Sequence, residues 1–421
     1  MTLESLKDDN KPSFDYDVAI IGGGIVGATL GSALKNSGLN VVIIEARPLE
    51  VAAAKRQAYA ITLLSSQIFA EIGIWEHILP HIAKFSQIQL SDMGRLGVKF
   101  QRADLGKECL GYVGEHSVVL RALQEFITTC PNVSWLCPAE IKEVSYQASG
   151  AEIAIKEGMQ TRKLRTKLVV GADGAKSFIR TGAGIGTRGW KYWQSCVAFT
   201  IKHSAERNDI AFERFWPTGP MGVLPLPGNR CQIVWTAPHG EAQALQQLEE
   251  GEFLAQLQER TGGLLGKLEL VSDRFLFPVQ LMSCRSYTQS RLALIGDAAH
   301  CCHPVGGQGM NLGIRDAAAL EQVLRKASLE GEDIGDIRVL KRYERWRKWE
   351  NLTILGFTDF LDRLFSNNWF PIVIIRRFGL WVMAHIRPFK INALQLMTGW
   401  RDGGIGGWGD GNYTRAEPRP Q

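Results

Sequence analysis

Val18-Ala19-Ile20-Ile21-Gly22-Gly23-Gly24-Ile25-Val26-Gly27 is an apolar run that predicts a buried strand and ends in the pattern GxGxxG, where a helix begins. Gly22 would allow the tight turn, Gly24 the approach of a pyrophosphate to the backbone, and Gly27 the close packing of helix on strand. Glu45 closes the next apolar run, at the spacing where a carboxylate accepts hydrogen bonds from a ribose. The stretch predicts a βαβ unit that binds a dinucleotide, with the phosphates at the helix N-terminus.

Two further segments, at residues 184–189 and 404–409, match the same glycine pattern formally. Neither follows a predicted strand, so both lack the strand-turn-helix context that gives the pattern its meaning. We interpret both as glycine-rich loops without a ligand.

The charge of the chain is small and unevenly distributed. The 421 residues carry a net charge of +5, and from Lys341 onward there are 13 Lys and Arg against 7 Asp and Glu. The positive excess therefore belongs to the C-terminal segment, and we expect no nucleic-acid partner. No apolar run reaches the roughly 18 residues that a membrane-spanning helix needs.

The cysteines predict free thiols. The chain has eight of them and an N-terminus without a secretory signal, which indicates a reducing, cytoplasmic compartment. The segment His300-Cys301-Cys302-His303 resembles a metal site superficially, but consecutive residues do not normally supply a tetrahedral shell. No metal is expected.

Hydrophobic periodicity predicts the organisation of the chain. Helical patterns at 65–78 and 118–129 alternate with β-rich runs at 86–100, 134–146, 151–155 and 168–170, and antiparallel signals fill 194–284. A parallel-type strand returns at 291–295. The prediction is an α/β protein: a Rossmann-like domain (14–85, 107–190 and 285–336) interrupted by an antiparallel β-sheet domain for the substrate (86–106 and 191–284), then a helical segment (337–400) and a disordered tail (401–421).

Two more segments have the form of cofactor contacts, each after a predicted parallel strand, where ligands bind in such sheets. The first, residues 171–180, contains Asp173 and Gly174, and the second, residues 296–313, contains Asp297. A carboxylate at a strand end, such as that of Asp297, suits a polyol hydroxyl. Glycines 306, 307 and 309 precede a helix predicted to begin near Asn311, whose N-terminus would stabilise negative charge on a bound ring.

The three motifs, with an inserted β-sheet domain and a helical C-terminus, resemble the FAD-dependent aromatic hydroxylases typified by para-hydroxybenzoate hydroxylase. The wording LIGDAAHCCHPVGGQGMNLGIRDAAAL at 294–320 and ERFWPTGPMGVLPL at 213–226 is most similar to the hydroxylases of ubiquinone biosynthesis. The resemblance covers residues 16–399.

The resemblance also implies residue roles in holding a tightly bound FAD. The ADP half would be held by Gly22, Gly24, Gly27 and Glu45, and the ribityl or ribose hydroxyls by Asp297. Backbone groups around Gly309, Met310 and Asn311 would meet the pyrimidine edge of the flavin, with Pro304 near its reactive face. Asp173 and Gly174 would serve both FAD and NAD(P)H, and Arg180 closes their motif.

One position departs from the family pattern. The family has an arginine three residues before an Ala-Leu pair after the second strand. Here Ala60-Ile61 stands at the pair, Gln57 occupies the position of the arginine, and Arg56 is one residue away. Whether Arg56 takes over the flavin-phosphate contact is left open by the sequence.

The resemblance implies an NAD(P)H- and O2-dependent monooxygenase. NAD(P)H, a transient reductant, would reduce FAD, the reduced flavin would capture O2 as a C4a-hydroperoxide, and the distal oxygen would pass to a phenolic, polyprenylated quinone precursor. The alternatives are a flavin oxidoreductase of another isoprenoid or polycyclic aromatic substrate, and a non-catalytic FAD-binding subunit of a quinone-biosynthesis complex.

The sequence assigns no catalytic acid or base. For His300 and His303, packing or hydrogen bonding within the loop is favoured over proton transfer. Aromatic residues in the predicted substrate domain are more often core than pocket wall, so no catalytic role is assigned to Tyr192, Trp193, Phe215 or Trp216.

The C-terminal segment combines apolar bulk with positive charge, as is typical of a helix lying on an anionic membrane. The residues are Trp369, Phe370, Ile372, Ile375, Phe378, Leu380, Trp381, Ile386, Arg376, Arg377, Arg387 and Lys390. A prenylated substrate favours peripheral association of residues 364–399 with the inner face of a membrane. The alternatives are a cap on the flavin domain and a homodimer contact.

Overall fold

The computed structural model describes residues 13–94 and 96–399. The predicted disordered tail at 401–421 and the glycine-rich segment at 404–409 lie outside the described residues.

The strands, numbered in chain order, are β1 (Tyr16–Ile21), β2 (Val41–Ile44), β3 (Ala58–Ile61), β4 (Ala83–Phe85), β5 (Gln87–Asp92), β6 (Leu96–Gln101), β7 (Gly111–Glu115), β8 (Val133–Leu136), β9 (Glu140–Tyr146), β10 (Ala151–Glu157), β11 (Gln160–Gly171), β12 (Thr187–His203), β13 (Ile210–Phe215), β14 (Met221–Leu226), β15 (Arg230–Pro238), β16 (Leu268–Leu270), β17 (Phe275–Cys284), β18 (Thr288–Gln289), β19 (Leu292–Leu294) and β20 (His300–Cys301).

The α-helices are α1 (Ile25–Ala33), α2 (Leu49–Ala53), α3 (Leu63–Ile72), α4 (Trp75–Ile78), α5 (Arg102–Leu105), α6 (His116–Thr128), α7 (Phe178–Gly182), α8 (His239–Gln247), α9 (Glu250–Thr261), α10 (Gln308–Leu329), α11 (Ile337–Phe365), α12 (Phe370–His385) and α13 (Arg387–Thr398). Short 3-10 turns occupy Leu34–Asn36, Leu79–His81, Gly296–Ala298 and Val305–Gly307.

The first sheet is the dinucleotide-binding unit expected from the sequence. Its strand order is β18-β19-β11-β1-β2-β8, and β1 pairs in parallel with both β2 and β11. β19 is parallel to β11, and β8 is parallel to β2. The carboxyl ends of β1, β2, β11 and β19 therefore meet at one edge of the sheet, where all three sequence motifs begin.

The second sheet is mainly antiparallel, with the order β20-β17-β12-β15-β14-β13-β5-β6 and β16 beside β12. The single parallel pairing joins β13 to β5. β12 runs across the predicted domain boundary at 190/191, so residues 187–190 belong to this sheet. The glycine-rich segment at 184–189 is a loop only at residues 184–186, because residues 187–189 belong to β12.

A small sheet, β3-β7-β4, lies between the two large sheets. One apolar cluster joins it to the second sheet and to the C-terminal helices, through side chains such as Phe85, Phe215, Val305, Phe365 and Leu380. A separate cluster packs α8 and α9 on the opposite face of the second sheet. One face of that sheet is thus covered by its own helices, and the other faces the flavin motifs.

Helix ends differ from expectation where glycine sets them. The helical stretch predicted at 65–78 is two helices, because Gly73 ends α3 with a left-handed φ of +92°. The helix expected near Asn311 begins at Gln308, directly after Gly306 and Gly307, whose φ values are +71° and +61°. The helix expected at 118–129 begins two residues earlier, at His116.

The C-terminal helices cover the junction of the two sheets. Arg376 on α12 is buried and forms an ion pair with buried Asp92 of β5, with Nη2 3.0 Å from Oδ1. Gln308 of α10 donates a hydrogen bond from Nε2 to the carbonyl of Met397 in α13 (3.1 Å). The C-terminal helices therefore pack on the rest of the chain, as the alternative of a cap on the flavin domain requires.

This packing corrects the predicted set of surface residues. Arg376 and Leu380, one helical turn apart, face the core rather than solvent. Lys390 is paired with Asp104, with Nζ 2.7 Å from Oδ2. The opposite side of α12 and α13 exposes large apolar side chains, namely Trp369, Phe370, Ile374, Ile375, Phe378, Trp381, Ile386 and Phe389.

None of the helices within residues 13–94 and 96–399 has the length and apolarity to cross a bilayer. All eight cysteines are free thiols. Within the same ranges, no three His, Cys, Asp or Glu side chains converge as metal ligands.

Candidate active site

The turn after β1 has the conformation that its glycines were expected to provide. Gly22 has a φ of +109°, which side chains disfavour. A Cβ on Gly27 would lie 2.0 Å from the carbonyl oxygen of Gly22, so α1 packs directly against the turn. A Cβ on Gly24 would meet no atom within 4 Å. The turn leaves open space at the N-terminus of α1, whose first N–H groups lack intrahelical partners.

Glu45, at the end of β2, holds this turn in place. Its Oε2 accepts the backbone N–H of Gly23 (2.9 Å), and its Oε1 accepts that of Arg47 (3.1 Å). A Cβ on Gly23 would lie 2.7 Å from the ring of Trp135, so a glycine is needed even at this variable position of the pattern. The contact of Glu45 with a ribose stays a prediction.

Asp173 and Gly174 form the turn after β11. Asp173 Oδ1 accepts the hydroxyl of Ser177 (2.5 Å), and Gly174 has a φ of +82°. Arg180 donates from Nη1 to the carbonyl of Ala298 (2.9 Å), which lies in the third motif. Asp173 therefore shapes its own loop, while Arg180 ties the second motif to the third.

Asp297 stands in a recess beyond β19. Its side chain is exposed although its neighbours Gly296 and Ala298 are buried. Desolvation by the surrounding protein raises the pKa of Asp297, and His300 and Lys55 act in the opposite direction. An accessible carboxylate among protein walls fits the predicted contact with ligand hydroxyls.

The N-terminus of α10 presents backbone rather than side chains. Asn311 is buried, and its Nδ2 donates to the carbonyls of Ala60 and Gly307, both at 2.8 Å. Gly309 and Met310, in the first turn of the helix, are partly exposed. Pro304, also partly exposed, precedes the turn that leads into the helix. The positive end of this 22-residue helix is therefore partly exposed.

Arg56 lies at the rim of a second recess of about 220 Å³, between the loop at 54–57 and the second sheet. Its Nη1 is 3.6 Å from Asp273 Oδ2, and both side chains are largely exposed. Gln57, in the position of the family arginine, accepts a hydrogen bond from the Tyr59 hydroxyl (3.0 Å). Contact of Arg56 with a flavin phosphate stays a prediction.

Both histidines of the third motif are buried and hydrogen-bonded. His300 Nε2 lies 2.6 Å from Asp316 Oδ2, and Arg347 donates from Nε to Asp316 Oδ1 (2.8 Å). Burial would raise the pKa of Asp316, but His300 and Arg347 outweigh it and hold the pKa well below its usual range. His303 Nδ1 accepts the N–H of Val305 (3.2 Å), and burial lowers the pKa of His303 to about 3. These contacts agree with the packing roles that the sequence favours.

Aromatic residues of the second sheet serve mainly as core. Tyr192 is buried and donates its hydroxyl to Asp359 Oδ1 (2.6 Å). Phe215 stacks on Phe365 with ring centroids 3.9 Å apart. Trp193 is half exposed.

Sequence reasoning missed Glu213 on β13. Its Oε2 accepts the N–H of Gly306 (3.2 Å), which joins the second sheet to the turn before α10. The signal in the sequence is an acidic residue directly after the apolar run Ile210-Ala211-Phe212 and before Arg214.

The three motifs fit FAD, because their geometry provides what each part of that molecule needs. Gly24 leaves room for phosphates beside a helix N-terminus, Asp297 is exposed, and α10 packs against α1 through Gly313 and Val26 with its first turn partly exposed. These features define the class of the protein as a Rossmann-like flavoprotein with an inserted β-sheet.

The comparisons with known proteins agree with this class. A family model described as FAD binding domain matches residues 15–350. The chain is 36% identical to ubiquinone hydroxylase UbiL of Rhodospirillum rubrum, over 89% of this chain and 87% of that protein. It is 32% identical to 3-demethoxyubiquinol 3-hydroxylase of Escherichia coli, over 93% and 99%. An uncharacterized protein of Synechocystis, slr1300, is 54% identical over 91% and 93%.

Two solved structures share the fold. One is the p-nitrophenol 4-monooxygenase PnpA of Pseudomonas putida, with a TM-score of 0.77 and 19% identity over 91% of this chain and 98% of that chain. The other is pqsL of Pseudomonas aeruginosa, a probable FAD-dependent monooxygenase. Its TM-score is 0.74 and its sequence identity is 22%, over 87% of this chain and 99% of that chain. The chain belongs to the FAD binding domain family and, within it, to the FAD-dependent aromatic hydroxylases of the ubiquinone-hydroxylase type; it is a monooxygenase.

Proposed function

We propose that this protein hydroxylates the aromatic ring of a phenolic, polyprenylated quinone precursor, with O2 as oxidant and NAD(P)H as reductant. The observation that carries the proposal is the near full-length similarity to relatives named as ubiquinone hydroxylases. The apolar face of the second sheet, which packs against Val305 of the third motif, supports it, since such a face suits a prenylated ring.

The roles of the residues follow from the site. FAD, when bound, supplies the activation of O2, and the protein supplies binding, orientation and a dry environment. Gly22, Gly24 and Gly27 would shape the turn that holds the phosphates, and Asp297 would bind hydroxyls of the cofactor. The N-terminus of α10 stabilises negative charge on the ring system. The apolar cluster around Phe215 and Phe365 limits the entry of water.

Quinone profiling of a strain that lacks the gene tests this function. We expect a prenylated intermediate that lacks one ring hydroxyl to accumulate, and we expect the unaltered gene to restore the mature quinone. An unchanged quinone pool would contradict the proposal. An accumulated intermediate that a variant unable to bind FAD also clears would instead indicate a non-catalytic subunit.

We further propose that the exposed apolar face of α12 and α13 binds the surface of an anionic membrane. Trp369, Phe370 and Phe378 are each more than 60% exposed, and Arg377 and Arg387 lie among them in solvent. Apolar side chains beside basic ones are the chemistry of a peripheral membrane helix. The prenyl tail of the proposed substrate would then reach the protein from the bilayer.

Vesicle flotation of the full-length holoenzyme tests the membrane proposal. The variant F370S/F378S/W381S should bind anionic vesicles at least ten-fold more weakly, because each aromatic side chain contributes ~1.5–3 kcal/mol on burial. The matched control V51S/L329S/W349S changes three exposed apolar residues elsewhere and should bind like the unaltered protein. Equal binding by both variants would contradict the proposal. Loss of a dimer in the first variant, without any vesicle binding, would assign the face to a second copy of the chain.

A further inference from the structure

Glu213 faces the third motif and α11 rather than α8 and α9. Successive side chains of a strand point to opposite faces of its sheet. Its neighbours at i−2 and i+2, Ala211 and Phe215, belong to the cluster shared with Val305 and Phe365, whereas Phe212 packs on the cluster of α8 and α9. The carboxylate of Glu213 is therefore on the side of the flavin motifs.

The two oxygens of this carboxylate have different surroundings. Oε2 accepts the N–H of Gly306 at 3.2 Å. Oε1 has no hydrogen-bond partner within residues 13–94 and 96–399, and it is not among the enclosed unpaired atoms. No Lys, Arg or His pairs with Glu213 in those ranges. One oxygen is thus anchored, the other makes no hydrogen bond to the described residues, and the residue is partly exposed.

The carboxylate is anchored on the segment that contains Pro304, which the sequence predicts to lie near the reactive face of the flavin. Gly306, its anchor, is two residues from Pro304, and both are partly exposed. Across the strand pair Glu213 is opposite Gly222 of β14, and a Cβ there would lie 3.7 Å from Oε2. Because Gly222 has no side chain, the space beside the carboxylate stays free.

The other titratable groups on this side are shielded. Cys196 on β12, His303 before the turn and Asp362 on α11 are all nearly fully buried. Burial raises the pKa of the Cys196 thiol to about 12, and Asp362 accepts the Ser366 hydroxyl at 2.6 Å. Of these groups, only Glu213 is partly exposed and has an oxygen without a hydrogen-bond partner among the described residues.

We propose that Glu213 is the catalytic base of the hydroxylation, with Oε1 accepting the proton of the phenolic hydroxyl of the substrate. This inference rests on the proposed function, since it requires a phenol. The phenolic O–H bond breaks, an O–H bond forms on Oε1, and the released electron pair enriches the ring carbon that receives oxygen. O2 supplies that atom and leaves the other as water, with NAD(P)H as reductant. When the ring carbon loses its hydrogen as a proton, Glu213 returns its proton to the phenolic oxygen.

The titration of Glu213 suits this role. Burial raises its pKa to about 7, against a smaller opposite effect of the Gly306 N–H. A base is active when deprotonated, so hydroxylation should rise with pH through about 7 and level off above it. A base with a pKa near neutrality is also better matched to a phenol than an ordinary carboxylate is.

The test compares Glu213→Gln with Glu269→Gln, an exposed carboxylate on β16 that serves as a matched control. The amide oxygen introduced by Glu213→Gln can still accept the Gly306 N–H, so FAD content and melting temperature should be unchanged. Hydroxylation by Glu213→Gln should fall about a hundred-fold or more, with NAD(P)H oxidation retained and uncoupled. Its pH limb near 7 should disappear.

Ring-fluorinated substrates give the sharpest readout. Fluorine acidifies the phenol, so a substrate that is already ionised needs no base, and the deficit of Glu213→Gln should shrink. If Glu213→Gln hydroxylates at the unaltered rate and keeps the pH limb, the assignment of Glu213 is wrong while the proposed function stands. If the unaltered holoenzyme hydroxylates no phenol, the proposed function fails, and this inference fails with it.

Discussion

The glycines of the first turn are required for different reasons, which single methyl groups can separate. Gly27 has no room, since its added Cβ would meet the carbonyl oxygen of Gly22 at 2.0 Å. Gly24 has room and an ordinary φ of −72°, so only a ligand would meet its Cβ. Gly27 is required for packing, and we predict that Gly24 is required for the cofactor.

We therefore expect Gly27→Ala to destabilise the FAD-free protein by about 1–3 kcal/mol, as overpacking does. Gly24→Ala should leave that stability unchanged and weaken FAD binding at least ten-fold. Urea unfolding of both FAD-free variants, with FAD titrations by flavin fluorescence, measures the two effects. Normal FAD affinity in Gly24→Ala would contradict the placement of the phosphates.

The spacing of residues in the sequence predicts a residue's role when that role depends on neighbours in the chain. A left-handed φ at Gly22 depends only on the turn, and the pattern alone indicates it. The contact of Glu213 with Gly306 joins residues 93 apart in the chain, and no periodicity encodes such a pairing. The same limit explains why the sequence did not show that Asn311 clamps the end of β3.

Among the elements, helix α12 has one side buried against the protein and one side exposed to solvent. Its inner side is fixed by Arg376, which donates from Nε to Asp92 Oδ2 (3.2 Å) and from Nη1 to the carbonyl of Asn367 (2.7 Å). Its outer side exposes aromatic residues. Composition alone placed Arg376 among the surface cations, because composition does not distinguish the sides of a helix.

Removing the buried cation should loosen the C-terminal helices. We expect Arg376→Met to lower the free energy of unfolding by about 3–5 kcal/mol, because it leaves the Asp92 carboxylate buried without its main partner. Arg377→Met is the control, since Arg377 is half exposed and its Nε is 3.5 Å from Asp92 Oδ2. It should cost less than about 1 kcal/mol. Equal losses in the two variants, measured by urea unfolding, would contradict the role of Arg376 as the main partner of Asp92.

Element boundaries were predicted least well where tertiary pairing decides them. The run of β12 across residues 187–190 follows from its pairing with β17, in which Thr187 lies opposite Cys284. A helix start is more local, yet α10 begins three residues before the expected Asn311. The left-handed φ values of Gly306 and Gly307 determine where that helix starts, and the φ of a glycine cannot be predicted from the sequence.

At the scale of the whole molecule, two sheets of different kind meet beside the three motifs, where we predict that the cofactor binds. The parallel sheet contributes the ends of β1, β11 and β19, and the antiparallel sheet contributes the face with Glu213. The α/β class and the interrupted order were predictable, because each sheet type has its own pattern in the sequence. The junction was not, since it is built by β3-β7-β4 and by the packing of α11, α12 and α13.

We propose that this protein transfers one oxygen atom from O2 to an aromatic ring. The decisive measurement supplies the FAD-loaded enzyme with NAD(P)H, oxygen-18 gas and a short-chain prenylated phenol, and analyses the products by mass spectrometry. We expect a hydroxylated ring that carries one labelled oxygen atom, formed in proportion to the NAD(P)H consumed. A product without label, or NAD(P)H oxidation that yields hydrogen peroxide with every phenol supplied, would contradict it.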